Sequence, residues 1–106
     1  MIFFKPKTIA VIGASERNGS VGAKILDNLL SSGYTSEIFP VNPLRETVQG
    51  IKAYSIITKI PEKVDLAIIA TSAHLVPQIL EECGLAKTLG IVIVSAGFKE
   101  AGQNCV

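Results

Sequence analysis

The stretch Thr8-Ile-Ala-Val-Ile-Gly-Ala-Ser-Glu-Arg-Asn-Gly-Ser-Val-Gly22 decides the fold of this chain. Its first five residues are apolar or β-branched, as expected of a short buried strand, and this strand ends at Gly13. From Ser20 onward, apolar residues recur at helical spacing, which predicts a helix over residues 20–32. A strand, a glycine-containing loop and a helix in this order indicate the beginning of an α/β fold.

The rest of the chain continues this alternation of strands and helices. A second helix is predicted over residues 73–87, while Pro61 makes residues 56–63 a turn or a poor helix. Further strands are predicted at residues 37–41, 50–55, 65–70 and 90–95. About five strands joined by right-handed crossovers predict a Rossmann-like parallel sheet with helices on both faces.

Ligands of such folds bind beyond the carboxyl ends of the strands, so the loops that follow the strands matter most. These are residues 13–22, 42–47 and 71–74, together with the loop that starts at Ser95.

Length and composition limit the chain to one small domain. Its 106 residues carry a net charge of +1, and 48% of them are hydrophobic, with 14 Ile and 9 Val. So many β-branched residues favour strands buried on both faces, and the balanced charge argues against a general nucleic-acid binder. The apolar runs are far shorter than the ~20 residues of a membrane span, and the N-terminus lacks a signal-peptide pattern. We therefore expect a cytoplasmic protein without nucleic-acid or membrane partners.

The loop over residues 13–22 has the chemistry of a phosphate site. It joins a strand to a helix, so backbone N–H groups and the positive end of the helix dipole converge there. Gly19 and Gly22 would allow a diphosphate to approach the backbone closely. The hydroxyls of Ser15 and Ser20 can donate hydrogen bonds to phosphate oxygens. The alternative is a structural turn in which Ser20 only caps the helix.

The loop does not match the usual NAD fingerprint. Five residues separate Gly13 from Gly19 instead of one, and the second strand ends in Asn42-Pro43 without an acidic residue for the ribose hydroxyls. Arg45 follows shortly afterwards. An arginine at this place suits a ribose phosphate, as in NADP or in the 3′-phosphate of coenzyme A (CoA), or else it is a solvated turn residue.

Five motifs follow one another along the chain. They are Gly-Ala-Ser-x-x-x-Gly-Ser-Val-Gly from residue 13, Pro-Val-Asn-Pro from residue 40, Val-Gln-Gly-x-x-Ala-Tyr from residue 48, Val-Asp-Leu-Ala-Ile-Ile from residue 64 and Ser-Ala-Gly-Phe-Lys-Glu from residue 95. In this order they resemble the CoA-binding domain of the NDP-forming acyl-CoA synthetases, over residues 7–102. That family includes ADP-forming acetate–CoA ligase and is similar to the α subunit of succinate–CoA ligase.

The resemblance implies CoA as the cofactor and implies roles by position. The residues that would hold the diphosphate are Gly13, Ser15, Gly19, Ser20, Val21 and Gly22. Asn42, Pro43 and Arg45 would face the adenosine and its 3′-phosphate, and Thr71, Ser72 and Ala73 would border the pantetheine arm. The family commonly has Val-Pro-Ala at this last position, whereas this chain has Thr-Ser-Ala. The resemblance therefore does not define the conformation of this turn.

The reaction implied by the resemblance is acyl-CoA + NDP + phosphate = carboxylate + CoA + NTP. No catalytic residue of it is expected in this chain, because the resemblance assigns the histidine that carries phosphate to a following domain and a different motif. The single histidine here, His74, is predicted to be an ordinary surface or capping residue. The two cysteines match no metal-ligand spacing. The alternatives are a stand-alone module that senses CoA or NADP, and the regulatory CoA-binding domain of a protein lysine acetyltransferase.

The same resemblance leads us to expect partners and a longer parent protein. The remaining ligase domains or subunits would be the partners, and homo-oligomers are a further expectation. The chain ends shortly after Glu100, whereas domains of the family continue into another helix and strand. We therefore expect it to be a C-terminally truncated fragment of a larger protein.

Overall fold

A computed structural model describes residues 6–15, 19–32 and 36–94. Within these ranges the chain forms six strands, two α-helices and two short 3₁₀ turns. The strands are β1 (Thr8–Ile12), β2 (Glu37–Val41), β3 (Thr47–Val48), β4 (Ile51–Lys52), β5 (Leu66–Ile69) and β6 (Gly90–Ile93). The helices are α1 (Val21–Ser31) and α2 (Val76–Leu85), and the 3₁₀ turns span Ile57–Lys59 and Ala73–Leu75.

Four of these strands form one parallel sheet in the order β2-β1-β5-β6, which confirms the predicted Rossmann-like class. β1 pairs with β2 along its whole length, from Thr8 opposite Glu37 to Ile12 opposite Val41, and with β5 on its other side. The chain leaves β1 towards one edge of the sheet and later crosses to the opposite side. The carboxyl end of β1 is therefore the switch point at which folds of this class bind ligands.

The strand predicted within residues 50–55 is not a strand of this sheet, so the sheet has four strands within the described residues instead of about five. Its beginning forms β4, which pairs antiparallel with β3 in a separate hairpin, and Tyr54 alone makes a parallel bridge to Val41. Gln49 and Gly50 have φ values of 51° and 81°, the positive values that a two-residue type I′ hairpin turn requires. This tight turn brings the hairpin back beside the carboxyl end of β2.

Each face of the sheet has its own hydrophobic core, as the prediction of helices on both faces requires. Successive residues of β1 point to opposite faces, so all five of them are buried. On one face Leu26 of α1 packs with Val11. On the other face Cys83 of α2 packs with Ile12 and Ile69.

The helix predicted over residues 73–87 has two parts. A 3₁₀ turn comes first, and α2 begins at Val76, so Pro77 lies in the first helical turn. A proline is tolerated there because the N–H that it lacks would have no partner within the helix. Among the described residues, no helix is long and apolar enough to cross a membrane.

Candidate functional site

Two glycines, Gly13 and Gly22, allow the two ends of the loop over residues 13–22 to pack closely together. Gly13 has a φ of +93°, and its N–H donates a hydrogen bond to the carbonyl oxygen of Val41 at 3.1 Å. A Cβ on Gly13 would lie 2.8 Å from the carbonyl carbon of Ala70, and a Cβ on Gly22 would lie 2.9 Å from that of Gly13. Glycine therefore lets β1, α1 and the end of β5 meet at the switch point.

The loop leads into the N-terminus of α1, which Ser20 caps. The Ser20 hydroxyl oxygen accepts a hydrogen bond from the backbone N–H of Ala23 at 3.2 Å, so the capping role considered from the sequence is present. This hydroxyl still has its own proton to donate to a ligand. Gly19 has a φ of +85°, a value that glycine adopts readily, and apart from its chain neighbours no described residue has an atom within 4 Å of the place where a Cβ would stand.

The predicted adenosine-side residue Asn42 shapes the site from within. Its side-chain amide donates to the carbonyl oxygen of Ala14 at 2.9 Å, and its side-chain oxygen accepts from the backbone N–H of Leu44 at 2.8 Å. Its backbone N–H donates to the carbonyl oxygen of Tyr54. Asn42 thus ties the glycine loop to the end of β2 and to the hairpin.

A wide pocket of about 720 Å³ lies beside this turn and contains two cationic side chains. Arg45 was predicted, and its Nε donates to the carbonyl oxygen of Thr47 at 3.1 Å. Lys52 of β4, which was not predicted, lines the same pocket with its Nζ 5.4 Å from the centre of the Tyr54 ring. Lys52 lies opposite Thr47 in the hairpin, and this register, which the sequence does not reveal, places Lys52 at the pocket. Glu46 adds one negative charge to the lining.

A second pocket of about 240 Å³ adjoins the first, because Pro43 and Ser55 line both. Its walls include Ile12, Gly13 and Thr71 and are mainly apolar. The two pockets together extend from the hairpin to the switch point and continue to the first turns of α2.

The remaining predicted residues line neither pocket. Val21 is the first residue of α1, and Ser15 contributes its carbonyl oxygen to a contact with Gln49. Ser72 is exposed and Ala73 begins the 3₁₀ turn, so these two belong to neither pocket wall. The predicted loop residues 16–18 and the motif over residues 95–100 lie outside the described residues.

Gln49 is a second residue of the site that was not predicted. Its side-chain amide nitrogen lies 3.2 Å from the carbonyl oxygen of Ser15 and 3.1 Å from that of Ala23, and it donates hydrogen bonds to both. Its motif, Val-Gln-Gly, was visible in the sequence. The reach of the side chain depends on the turn geometry, which the motif does not reveal.

Two further reactive side chains among the described residues, His74 and Cys83, line neither pocket. His74 is exposed within the 3₁₀ turn, as predicted. Cys83 is a free, buried thiol in the core between α2 and the sheet. In the described part of the chain, no group of three or more His, Cys, Asp or Glu residues could hold a metal ion.

We expect Cys83 to be almost inert towards iodoacetamide in the folded chain at pH 8. Burial raises the pKa of its thiol, and the charge of Glu82 raises it further, so little thiolate forms. Labelling followed by peptide mass spectrometry should show slow modification of Cys83 that becomes fast in urea. Equal rates in the folded and the unfolded chain would show that Cys83 is not part of the core.

Parallel strands in the order β2-β1-β5-β6, with a capped helix following a glycine loop at the switch point, define a Rossmann-like α/β domain of the ligand-binding type. The sequence pattern of one such family, the CoA binding domain, matches residues 7–105. The chain belongs to this family.

Curated relatives share this domain. The chain is 46% identical over 99 residues to a 4-hydroxybutyrate–CoA ligase (ADP-forming) of Nitrosopumilus maritimus. It is 48% identical over 99 residues to acetate–CoA ligase (ADP-forming) I of Archaeoglobus fulgidus. Each match covers 93% of this chain but only 14% of the relative. The chain therefore spans about a seventh of the length of these relatives.

Solved structures agree with these relatives. The chain superimposes with a TM-score of 0.86 on the dinucleotide-forming acetyl-coenzyme A synthetase 1 of Ca. Korarchaeum cryptofilum, solved with phosphate and ADP. The two sequences are 38% identical, and the match covers 93% of this chain and 21% of the other.

Proposed function

We propose that this chain binds CoA as the CoA-binding domain of an NDP-forming acyl-CoA synthetase, which catalyses acyl-CoA + NDP + phosphate = carboxylate + CoA + NTP. The observation that carries the proposal is the pair of adjoining pockets, which runs from Arg45 and Lys52 to Thr71 and to Gly13 at the start of the glycine loop. The names of the relatives, which include two ADP-forming CoA ligases, support the same conclusion.

The diphosphate of CoA fits the N-terminus of α1. The first N–H groups of a helix lack partners within the helix and carry partial positive charge, which favours an anion. The Ser20 hydroxyl can donate its proton to a phosphate oxygen while it accepts from the N–H of Ala23. The absence of a side chain at Gly22, which is buried against Gly13, keeps α1 close enough to the sheet for this arrangement.

The 3′-phosphate of the adenosine fits the wide pocket. Arg45 and Lys52 bring two positive charges to it, against one negative charge from Glu46. Arginine binds phosphate in a planar, bidentate manner, and lysine adds a compact charge. The pantetheine arm would then follow the mainly apolar pocket past Thr71, whose hydroxyl can bond to an amide of the arm.

Within such a synthetase, the task of this domain is to hold CoA while an acyl phosphate is formed elsewhere. CoA supplies the thiol that accepts the acyl group, and the residues named above bind and orient it. We propose that the partners are the remaining ligase domains or subunits, that the protein is cytoplasmic, and that it forms homo-oligomers. The chain itself contributes binding and orientation rather than a catalytic group.

We expect the chain to bind CoA more tightly than 3′-dephospho-CoA. Substituting Arg45→Gln or Lys52→Gln should weaken CoA binding about 5- to 10-fold each, because each removes a charge-assisted contact at a partly exposed site. Neither substitution should change the affinity for 3′-dephospho-CoA by more than about 2-fold, since that ligand lacks the group they contact. Isothermal titration calorimetry measures all of these affinities.

Lys59→Gln is the matched control, since Lys59 is exposed in a 3₁₀ turn and lines neither pocket. It should leave both affinities unchanged. Equal affinity of the unsubstituted chain for the two ligands would remove the 3′-phosphate role of Arg45 and Lys52. A thermal shift with NADP but none with CoA would contradict the proposed function itself.

A further inference from the structure

We infer that Gln49 is a positioning residue that holds the glycine loop in the shape that receives the diphosphate, an inference that rests on the proposed function. Its amide nitrogen bridges two carbonyl oxygens, those of Ser15 and Ala23. Ser15 lies where the loop leaves β1, and Ala23 lies in the first turn of α1. One side chain from a distant hairpin thus joins the two ends of the loop.

Asn42 makes a parallel contact one residue earlier in the loop. Its amide donates to the carbonyl oxygen of Ala14, next to the carbonyl of Ser15 that Gln49 binds. In a trans peptide the C=O and N–H groups point in opposite directions, so the N–H of Ser15 points away from Asn42. Two side-chain amides therefore bind consecutive carbonyls and fix the orientation of the peptide units here.

The backbone of Gln49 explains how its side chain reaches the loop. Gln49 occupies the first central position of the type I′ turn between β3 and β4, with a φ of 51°. Glutamine is less suited than Asn or Gly to this left-handed conformation. A residue whose backbone is unfavourable for the turn, but whose amide makes two long-range hydrogen bonds, contributes mainly through its side chain.

The same hairpin also carries the cationic side of the wide pocket. Lys52 lies on β4, and the carbonyl oxygen of Thr47 on β3 accepts from Arg45. Gln49 therefore connects the part of the site proposed for the 3′-phosphate with the part proposed for the diphosphate. The hairpin sets the spacing between the two anion-binding regions.

Two substitutions test this inference without disturbing the turn. Gln49→Asn gives the Asn-Gly pair that type I′ turns prefer, but with an amide one methylene shorter, and Gln49→Gly removes the side chain altogether. Each should weaken CoA binding about 10-fold, the loss expected for two hydrogen bonds that organise the loop. The melting temperature should stay within about 3 °C of that of the unsubstituted chain, since the more favourable turn offsets the lost bonds.

Amide hydrogen exchange of Ala23 and Lys24, whose N–H groups donate to the side chain and the backbone carbonyl of Ser20, gives an independent readout in the ligand-free chain. Exchange should become faster in Gln49→Asn and Gln49→Gly, whereas Lys52→Gln should weaken CoA binding without changing these rates. Unchanged exchange together with unchanged CoA affinity in both Gln49 variants would overturn the inference. Failure of the unsubstituted chain to bind CoA would instead overturn the proposed function, and the exchange rates would still test the contact.

Discussion

Replacing Gly22 with alanine is expected to lower the free energy of unfolding by at least about 3 kcal/mol, because the new Cβ would collide with backbone that cannot move away. That Cβ would overlap the carbonyl group of Gly13, whose own position is fixed by Val41 and by the end of β5. Relief requires α1 to move off the sheet, which separates Leu26 from its core. A domain of this size has roughly 5–15 kcal/mol of stability, so this loss is severe.

Urea denaturation followed by circular dichroism measures this effect, and Gly84→Ala is the matched control. Gly84 lies in α2 and is exposed, and outside its own helix no described residue has an atom within 4 Å of the place where the alanine Cβ would stand. Alanine there should raise stability by about 0.5–1 kcal/mol. If Gly22→Ala were as stable as the unsubstituted chain, the close contact between α1 and the end of β1 would be wrong.

Ser20→Asp is expected to weaken CoA binding about 100-fold or more while leaving the fold intact, because two anions would compete for one helix N-terminus. Aspartate is as good an N-cap as serine and interacts favourably with the helix dipole, so stability should be unchanged or slightly higher. Its carboxylate would lie within a few ångströms of the proposed diphosphate, where repulsion between unit charges amounts to about 3 kcal/mol at an effective dielectric constant of 20.

Ser20→Ala separates this charge effect from the loss of the cap. Alanine removes the hydrogen bond to Ala23 and should cost about 1 kcal/mol of stability. Without a charge, it should weaken CoA binding only about 3-fold. Calorimetric titration of both variants is the measurement. Equal CoA affinity of Ser20→Asp and Ser20→Ala would show that the diphosphate does not lie at this helix.

The central part of the fold could be predicted because local signals and long-range packing agree there. The apolar residues of β1, the stop at Gly13 and the helical spacing after Ser20 all depend on short stretches of sequence. The position of Ser20 as the N-cap also follows from local chemistry. The apolar runs of β5 and β6 were visible for the same reason, although β6 lies at the edge of the sheet and is largely exposed rather than buried.

The hairpin could not be predicted in the same way. Residues 50–55 have strand-forming composition, but whether they extend the sheet or fold back depends on the positive φ values at Gln49 and Gly50. Glutamine rarely adopts a positive φ, so its presence at residue 49 does not indicate a left-handed turn. Lys52 and Gln49 enter the candidate site only through this turn, so neither was predicted.

The sequence predicted where the site residues lie better than it predicted which contacts their side chains make. Arg45 and Thr71 line pockets as residues at the ends of parallel strands should. Asn42 was expected to face the adenosine, but its side chain is engaged with Ala14 and Leu44. A sequence places a side chain at the correct edge of a sheet without showing which hydrogen bonds it makes.

The most direct test of CoA binding at this site is an NMR titration of the ¹⁵N-labelled chain with CoA, which reports both whether CoA binds and where. We predict saturable shifts of the amides of Gly13, Gly19 and Ser20, of the turn and hairpin over residues 42–52, and of Thr71, with smaller hairpin shifts for 3′-dephospho-CoA. No shifts at all, or shifts confined to the half-exposed face of β6, would contradict the claim that the glycine loop and the hairpin form the CoA site.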